Sequence, residues 1–300
     1  MKYKWGIIGF LFFIGFFFLA IQAAPRVVTD QLGRKVCLPD NPQRIVALAP
    51  SITEIVFALK EEHRLKGVTR YSDFPPQALK YPRVGSYVRL DLEKIVTLQP
   101  DLCIATKDGN PKIVIDRLVS LNIPVFTVDP RNSEAVMKSI IEIGVLLDAG
   151  DRADALVGNM RRRIQRVESL VDKAATRPRV FFQIGISPII SVGTHTFSHE
   201  LIVLAGGKNL AEGPVSYPRF SREQVVAFSP EVLIISSMQR EAVFEEVKSE
   251  WSQWPDLPAV KNNRIFLVDS NLFDRPTPRL VDGLELLLRL IHPEIFEENP

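Results

Sequence analysis

The chain is short of the residues from which most enzyme sites are assembled. Its 300 residues include two cysteines and four histidines. Two cysteines do not make a disulfide framework; a Cys37–Cys103 bridge is the one pairing open to it. Cys37 lies in a Gly/Pro-flanked N-terminal segment, and Cys103 sits within an apolar strand, where a thiol behaves as a small hydrophobe. His195 and His199 are four residues apart, yet T-H-T-F-S-H looks like a loop entering a helix capped at Ser198. No third metal ligand accompanies them, so no metal site is expected. There is no phosphate loop and no G-x-G-x-x-G, and G-I-S-P-I at Gly185 lacks the second glycine of a nucleophile elbow. Excess charge of one sign is missing too. The 37 basic and 35 acidic residues give no reason to expect nucleic acid or a membrane surface as partner.

Long apolar runs are confined to the start. Lys2 and Lys4 precede a run from Trp5 to Ile21, followed by Gln22, Ala23 and Ala24. A basic start, an apolar middle and small residues at the end predict a secretory signal peptide over residues 1–23, cleaved after Ala23. The run is about 17 residues, short of the roughly 20 that span a bilayer; an uncleaved anchor is the alternative. No cysteine follows it closely, which argues against a lipid-anchored lipoprotein. The remaining chain, about 277 residues, exceeds the usual size of one hydrophobic core and predicts two lobes.

What is present is an alternation of short apolar strands and helices. R-I-V-A-L-A-P from Arg44 is a buried strand, and S-I-T-E-I-V-F-A-L follows as a helix. Ser51 as N-cap and Glu54 three residues on predict a capping box there. With L-K-G-V-T, L-C-I-A-T and V-F-T-V-D, this pattern predicts an α/β lobe over residues 24–131, its sheet mostly parallel. Ligands of such sheets sit at the carboxyl ends of the strands.

Residues 132–176 change character. Val136, Ile140, Ile143 and Leu147 mark one helix. Ala155, Leu156, Met160, Ile164, Val167 and Val171 mark a second from Asp151 to Ala175, about 37 Å long at 1.5 Å per residue. Its Arg161-Arg162-Arg163 run is expected on a solvated face. The α/β pattern then restarts over residues 177–300, with a helix stopped by Gly206-Gly207 and a last helix from Thr277 to His292. The expected fold is two α/β lobes joined by a single long helix, with a ligand cleft between them.

The lobes echo each other. L-E-K-I-V-T-L-Q-P-D-L-C-I from Leu92 aligns with R-E-Q-V-V-A-F-S-P-E-V-L-I from Arg222 at a constant offset of 130. Glu93 pairs with Glu223, Pro100 with Pro230 and Ile104 with Ile234, and Asp91 and Ser221 are the matching N-cap candidates. An acidic residue in a first helical turn is stabilised by the helix dipole, by about 0.3–1 kcal/mol. That accounts for each glutamate alone and not for their recurrence. Four polar-aromatic loops stand at strand ends: Y-S-D-F-P-P-Q-A-L from Tyr71, G-S-Y-V-R from Gly85, V-S-Y-P-R-F from Val215 and D-S-N-L-F-D-R from Asp269. Together they suit a cleft that grips a large, partly flat ligand by stacking and a few hydrogen bonds.

These motifs resemble the vitamin B12-binding periplasmic proteins, among the helix-linked (class III) solute-binding proteins of ABC importers. The resemblance runs from about Arg44 and is closest in Y-S-D-F-P-P-Q-A, L-E-K-I-V-T-L-Q-P-D-L, F-F-Q-I-G-I-S-P-I and S-R-E-Q-V with the Y-P-R-F before it. It implies a monomeric periplasmic carrier, without catalysis or a cofactor of its own, that delivers cobalamin or a related corrinoid to a permease driven by ATPase subunits. It implies modest hinge motion, since a continuous helix resists bending. By resemblance, the ligand contacts fall on Pro50, Tyr71, Tyr87, Thr106, Ile190, Tyr217 and Asn271, and the permease is met by Glu93 and Glu223. Several of these positions carry tryptophan or phenylalanine in close cobalamin binders, where this chain has Tyr87, Thr106, Ile190, Tyr217 and Leu272. Haem or a ferric siderophore is the alternative ligand, and the segment Val27 to Pro42 resembles the strand-rich lead-in of binders of that kind. An exported enzyme using the cleft is the alternative of a different class.

Overall fold

The structure is a computed structural model that describes residues 25–237 and 242–297. The expected signal peptide lies outside the described residues. Strands β1 (Arg26–Thr29) and β2 (Lys35–Leu38) pair as an antiparallel hairpin. The first lobe continues with β3 (Ile45–Ala47), α1 (Pro50–Ala58), β4 (Leu65–Gly67), β5 (Gly85–Ser86), β6 (Arg89–Leu90), α2 (Leu92–Thr97), β7 (Leu102–Thr106), α3 (Lys112–Ser120) and β8 (Val125–Val128). Strands β4, β3, β7 and β8 form, in that order, an all-parallel sheet. Every residue of β3, β7 and β8 is buried. A parallel sheet covered on both faces needs unbroken apolar strands, as the sequence supplies. The hairpin covers its edge: Gln31 N donates to Thr127 O at 3.1 Å and Arg34 Nη2 to Thr127 Oγ1 at 2.6 Å.

Helices α4 (Ser133–Leu146) and α5 (Gly150–Val171) come next. The second lobe is β9 (Arg179–Gly185), β10 (Ile189–Ser191), α6 (Phe197–Leu204), β11 (Lys208–Asn209), β12 (Arg219–Phe220), α7 (Arg222–Phe228), β13 (Val232–Ser237), α8 (Ala242–Trp251), α9 (Pro258–Lys261), β14 (Ile265–Asp269), α10 (Ser270–Phe273), α11 (Leu280–Ile291) and α12 (Glu294–Glu297). Its sheet runs β12-β10-β9-β13-β14, with β11 against the start of β9. Strands β9, β11, β13 and β14 are parallel; β10 and β12 form an antiparallel arm on one side.

One apolar core runs through both lobes. It takes Ile45 and Ile104 from the first sheet, Val136, Ile140 and Ile143 from α4, Val157, Met160 and Ile164 from α5, and Phe182, Ile234 and Leu284 from the second lobe. The long helix is therefore embedded between the lobes. Its buried stripe is Ala153, Val157, Met160, Ile164, Val167 and Val171; Ala155 is exposed and Leu156 half-buried, a shift of the expected register. At 22 residues and 1.5 Å per residue it spans about 33 Å, ending before Ala175. Its arginines are not a purely solvated face. Arg163 Nη2 reaches Asp282 Oδ1 at 2.6 Å and Glu285 Oε2 at 2.7 Å on α11, and Arg152 pairs with Glu61 of the first lobe.

Two expected caps are corrected. The N-cap of α1 is Ala49, with Pro50 at the helix start and no side-chain cap; Glu54 is drawn instead to arginines of the second lobe. The N-cap of α6 is Thr196, whose hydroxyl accepts from His199 N, while Ser198 Oγ donates to Phe273 O at 2.9 Å. Both cysteines are free.

The 130-residue repeat is physical as well as textual. Asp91 and Ser221 both cap their helices, accepting from Lys94 N and Gln224 N. Gln99 and Ser229 both take left-handed backbone, φ 48° and 50°, after those helices. Arg44 donates to Leu98 O and Arg179 to Phe228 O. Asp101 Oδ1 accepts from Arg44 N, and Glu231 Oε2 from Arg179 N, both at 2.8 Å. The same helix–turn–strand unit is wired the same way in each lobe.

Candidate functional site: the cleft between the lobes

The carboxyl ends of the strands in both sheets open onto one cavity of 430 Å³. Loops of the first lobe contribute Pro50, Tyr71, Tyr87, Thr106, Asp108 and Arg131, and those of the second contribute His195, Phe197, Tyr217, Asp274 and Arg275. All four polar-aromatic loops meet here. Of the expected ligand contacts, Pro50, Tyr71, Tyr87, Thr106 and Tyr217 wall the cavity. Ile190 and Asn271 do not. Ile190 sits on β10 opposite Arg219, and Asn271 is the second residue of α10, its N–H donating to Asp269 Oδ1 at 2.9 Å. The Asp269 loop reaches the cavity through Asp274 and Arg275 instead.

Each aromatic is held by a local device. The loop carrying Tyr71 is pinned on both sides of it by Arg83 Nη1, which donates to Thr69 O at 2.8 Å and Ser72 O at 2.9 Å. Tyr87 rests against Gly109, which has φ +106°; a Cβ there would fall 2.6 Å from Tyr87 Cδ2, so only glycine fits. Buried Asn110 ties this wall together: its Nδ2 donates to Leu48 O and Tyr87 O, both at 2.8 Å, and its Oδ1 accepts from Thr106 N at 2.8 Å. Across the cleft, the Tyr217 loop and the His195 loop are laced by Gly193 N to Ser216 O at 2.8 Å and Thr194 N to Gly213 O at 3.1 Å.

The charges of the site are largely neutralised within it. Arg131 Nε meets Asp129 Oδ1 at 2.9 Å and its Nη2 meets Asp108 Oδ1 at 3.3 Å. The hydrogen bond that Arg131 donates to Asp129 raises its pKa further. Arg275 Nη1 meets Glu54 and Asp73. Desolvation raises the pKa of the Tyr217 phenol, with Asp108, Asp274 and Tyr87 adding to the rise, so its oxygen stays protonated and able to donate. Asp274 is exposed at the cleft, with Ser236 Oγ 3.4 Å from its carboxyl. Desolvation pushes it up to about 6, against the hydrogen bond from Ser236 and the charge of Arg275. Among the described residues no cluster of three or more His, Cys, Asp or Glu could hold a metal ion; His199, on α6, pairs with Asn209 instead.

Glu93 and Glu223 lie away from the cleft, exposed in the first turns of α2 and α7. Hydrogen bonding from Ser221 holds the Glu223 carboxyl below its ordinary range. The repeat extends further upstream than Leu92. Ser86, Tyr87, Arg89 and Glu93 match Ser216, Tyr217, Arg219 and Glu223 at the same offset, so each lobe leads from a cleft tyrosine through a two-residue strand to an exposed glutamate. That upstream half, and the roles of Asn110, Asp274 and Arg275, escaped sequence reasoning. The S-Y-x-R spacing was the available signal.

Two lobes, a shared core and a cleft at the strand ends define a solute-binding architecture. The sequence profile of the periplasmic binding protein family matches residues 45–272, and the chain belongs to that family. It is 30% identical over 253 residues to the vitamin B12-binding protein of Photorhabdus laumondii, covering 84% of this chain and 88% of that protein. Its fold matches the periplasmic vitamin B12 binding protein of Vibrio cholerae with a TM-score of 0.76 at 29% identity, over 87% of this chain and all of that one. A periplasmic heme binding protein from Pseudomonas aeruginosa matches with a TM-score of 0.77 at 28% identity, over 84% of this chain and 93% of that one. These relatives are binding proteins and not enzymes, and members of the family work with ABC permeases.

Proposed function

We propose that the protein is the periplasmic carrier of a corrinoid importer: it captures cobalamin or a close relative in the inter-lobe cleft and hands it to a permease powered by ATPase subunits. The observation that carries the choice of ligand is the charge state of the cleft. Haem brings two carboxylates and calls for free cations. Here Arg131 is matched by Asp108 and Asp129, and Arg275 by Glu54 and Asp73. A corrin ring presents amides around its rim. Phenols, carboxylates and backbone groups meet amides without an unpaired charge, and Tyr71, Tyr87 and Tyr217 offer surfaces for the macrocycle. A whole corrinoid is larger than a cavity of 430 Å³, so capture requires the lobes to part or leaves the ligand's rim in solvent.

Haem is the second reading. His195 and three tyrosines at the cavity are groups that coordinate iron, and the heme-binding neighbour has the same fold. Calorimetry and gel filtration with cyanocobalamin separate the two. A saturable heat and a red complex co-eluting with the protein support the corrinoid; retention of haem or a ferric siderophore in its place overturns it.

Glu93 and Glu223 are the proposed points of docking, one per lobe, each available for a charge-assisted contact with a permease cation. Reversing both to lysine is expected to abolish uptake in cells while leaving ligand affinity unchanged. A loss of affinity would assign these residues to the ligand site instead.

A further inference from the structure

One turn behind the cleft wall formed by Pro50 and Ser51, the Glu54 side chain is only 2% exposed. It belongs to the first lobe, and both its cationic partners belong to the second. Arg279 grips it with two prongs, Nε to Oε2 and Nη2 to Oε1, both at 2.8 Å. Arg275 Nη1 reaches Oε1 at 3.2 Å and Asp73 Oδ1 at 2.8 Å, and its Nη2 donates to Tyr71 O at 3.0 Å. The Arg279 guanidinium also stacks over the Phe74 ring, 3.7 Å from its centroid. The two arginines bracket R-P-T-P-R, in which Pro276 and Pro278 fix the backbone φ and Thr277 is fully buried. The second lobe thus presents a preset pair of guanidiniums to one carboxylate of the first.

We infer that Glu54, Arg275 and Arg279 form a latch that sets the separation of the lobes before any ligand arrives, and that Arg275 doubles as the strut positioning Tyr71. A buried carboxylate between guanidiniums is a poor source of stability, because desolvation offsets much of the attraction. What it supplies is geometry. A planar fork on a carboxylate tolerates little rotation or translation, and this one spans the cleft. Because Arg275 touches both Tyr71 O and Glu54, any change in lobe separation also shifts the Tyr71 loop. Local sequence preference would spend Glu54 on a capping box. The latch takes it instead.

The test uses ligand-free protein, so it stands or falls independently of which ligand the cleft holds. On a Cys37→Ser background, spin labels at Lys112→Cys and Glu212→Cys, both exposed, report the distance between lobes. With the latch intact, a single narrow population is expected. Glu54→Gln, which takes the shared carboxylate from both guanidiniums and leaves Arg275 only its first-lobe partners Asp73 and Tyr71 O, is expected to lose that population to a broad, longer one. Arg279→Lys keeps the charge without the fork and tests the same point if Glu54→Gln does not fold; partial broadening is expected. A lowered melting temperature with an unchanged distance distribution in either variant would mean the cluster only stabilises the fold, and would overturn the latch.

Discussion

Tyr87 and Tyr217 stand 130 residues apart, each six residues ahead of an exposed glutamate, yet the lobes present them differently. Tyr87 is built into a wall. It is half-buried, its ring lies on Gly109 and its carbonyl is bound by Asn110. Tyr217 stands at the end of an arm. It is 58% exposed and precedes β12, the outermost strand of an antiparallel pair that the first sheet lacks. Its phenol feels the charges of Asp108, Asp274 and Arg131 across the cleft. The repeated unit is thus a fixed platform in one lobe and an outlying arm in the other. An asymmetric clasp suits a macrocycle whose two faces differ.

The largest effect is expected in the core that the two lobes build alike. Ile104 and Ile234 are equivalent and fully buried, so truncating either to alanine should cost about 2–5 kcal/mol, with closely similar values by urea denaturation. A large inequality would break the structural repeat. Next come the tyrosines. Tyr217→Ala should weaken ligand binding by on the order of 1 kcal/mol with little change in melting temperature. Tyr87→Ala should lower both affinity and melting temperature, because its ring also packs against the wall. Paired titrations and thermal melts separate the two patterns.

The caps differ by less. Ser221→Ala leaves the Gln224 side chain on Ser221 N, whereas Asp91→Ala removes the only side-chain cap of α2. Both should cost about 1 kcal/mol, with Asp91→Ala the larger. The smallest effect concerns Asp274, which belongs to the second lobe alone. Its folded pKa of about 6 lies above the ordinary 3.8, so the folded state holds that proton more tightly. The stability it contributes is complete below pH 3.8 and is lost as pH rises through about 6. Asp274→Asn should flatten that part of the melting-temperature profile and leave the profile below it unchanged.

The strands, the long helix and the helix–turn–strand repeat were legible because each rests on local pattern: unbroken apolar runs, a 3.6-residue stripe and matched turn residues. The aromatic loops were legible as a group for the same reason. The Ser51–Glu54 capping box and the Ser198 cap were not. Glu54 is claimed by Arg275 and Arg279, 221 and 225 residues away, and Ser198 by a carbonyl 75 residues away. Tertiary partners with better geometry override a local preference worth about 1 kcal/mol. Asp274 and Arg275 were missed for a related reason. The short helix α10 turns Asn271 aside and brings the residues after it to the cavity.

Hydrogen–deuterium exchange with and without cyanocobalamin locates the ligand on both lobes at once. Slowed exchange is expected in the loops beginning at Tyr71, Gly85, Val215 and Asp269, with α2 and α7 unchanged. Protection confined to one lobe, or found away from these four loops, would contradict capture between the lobes.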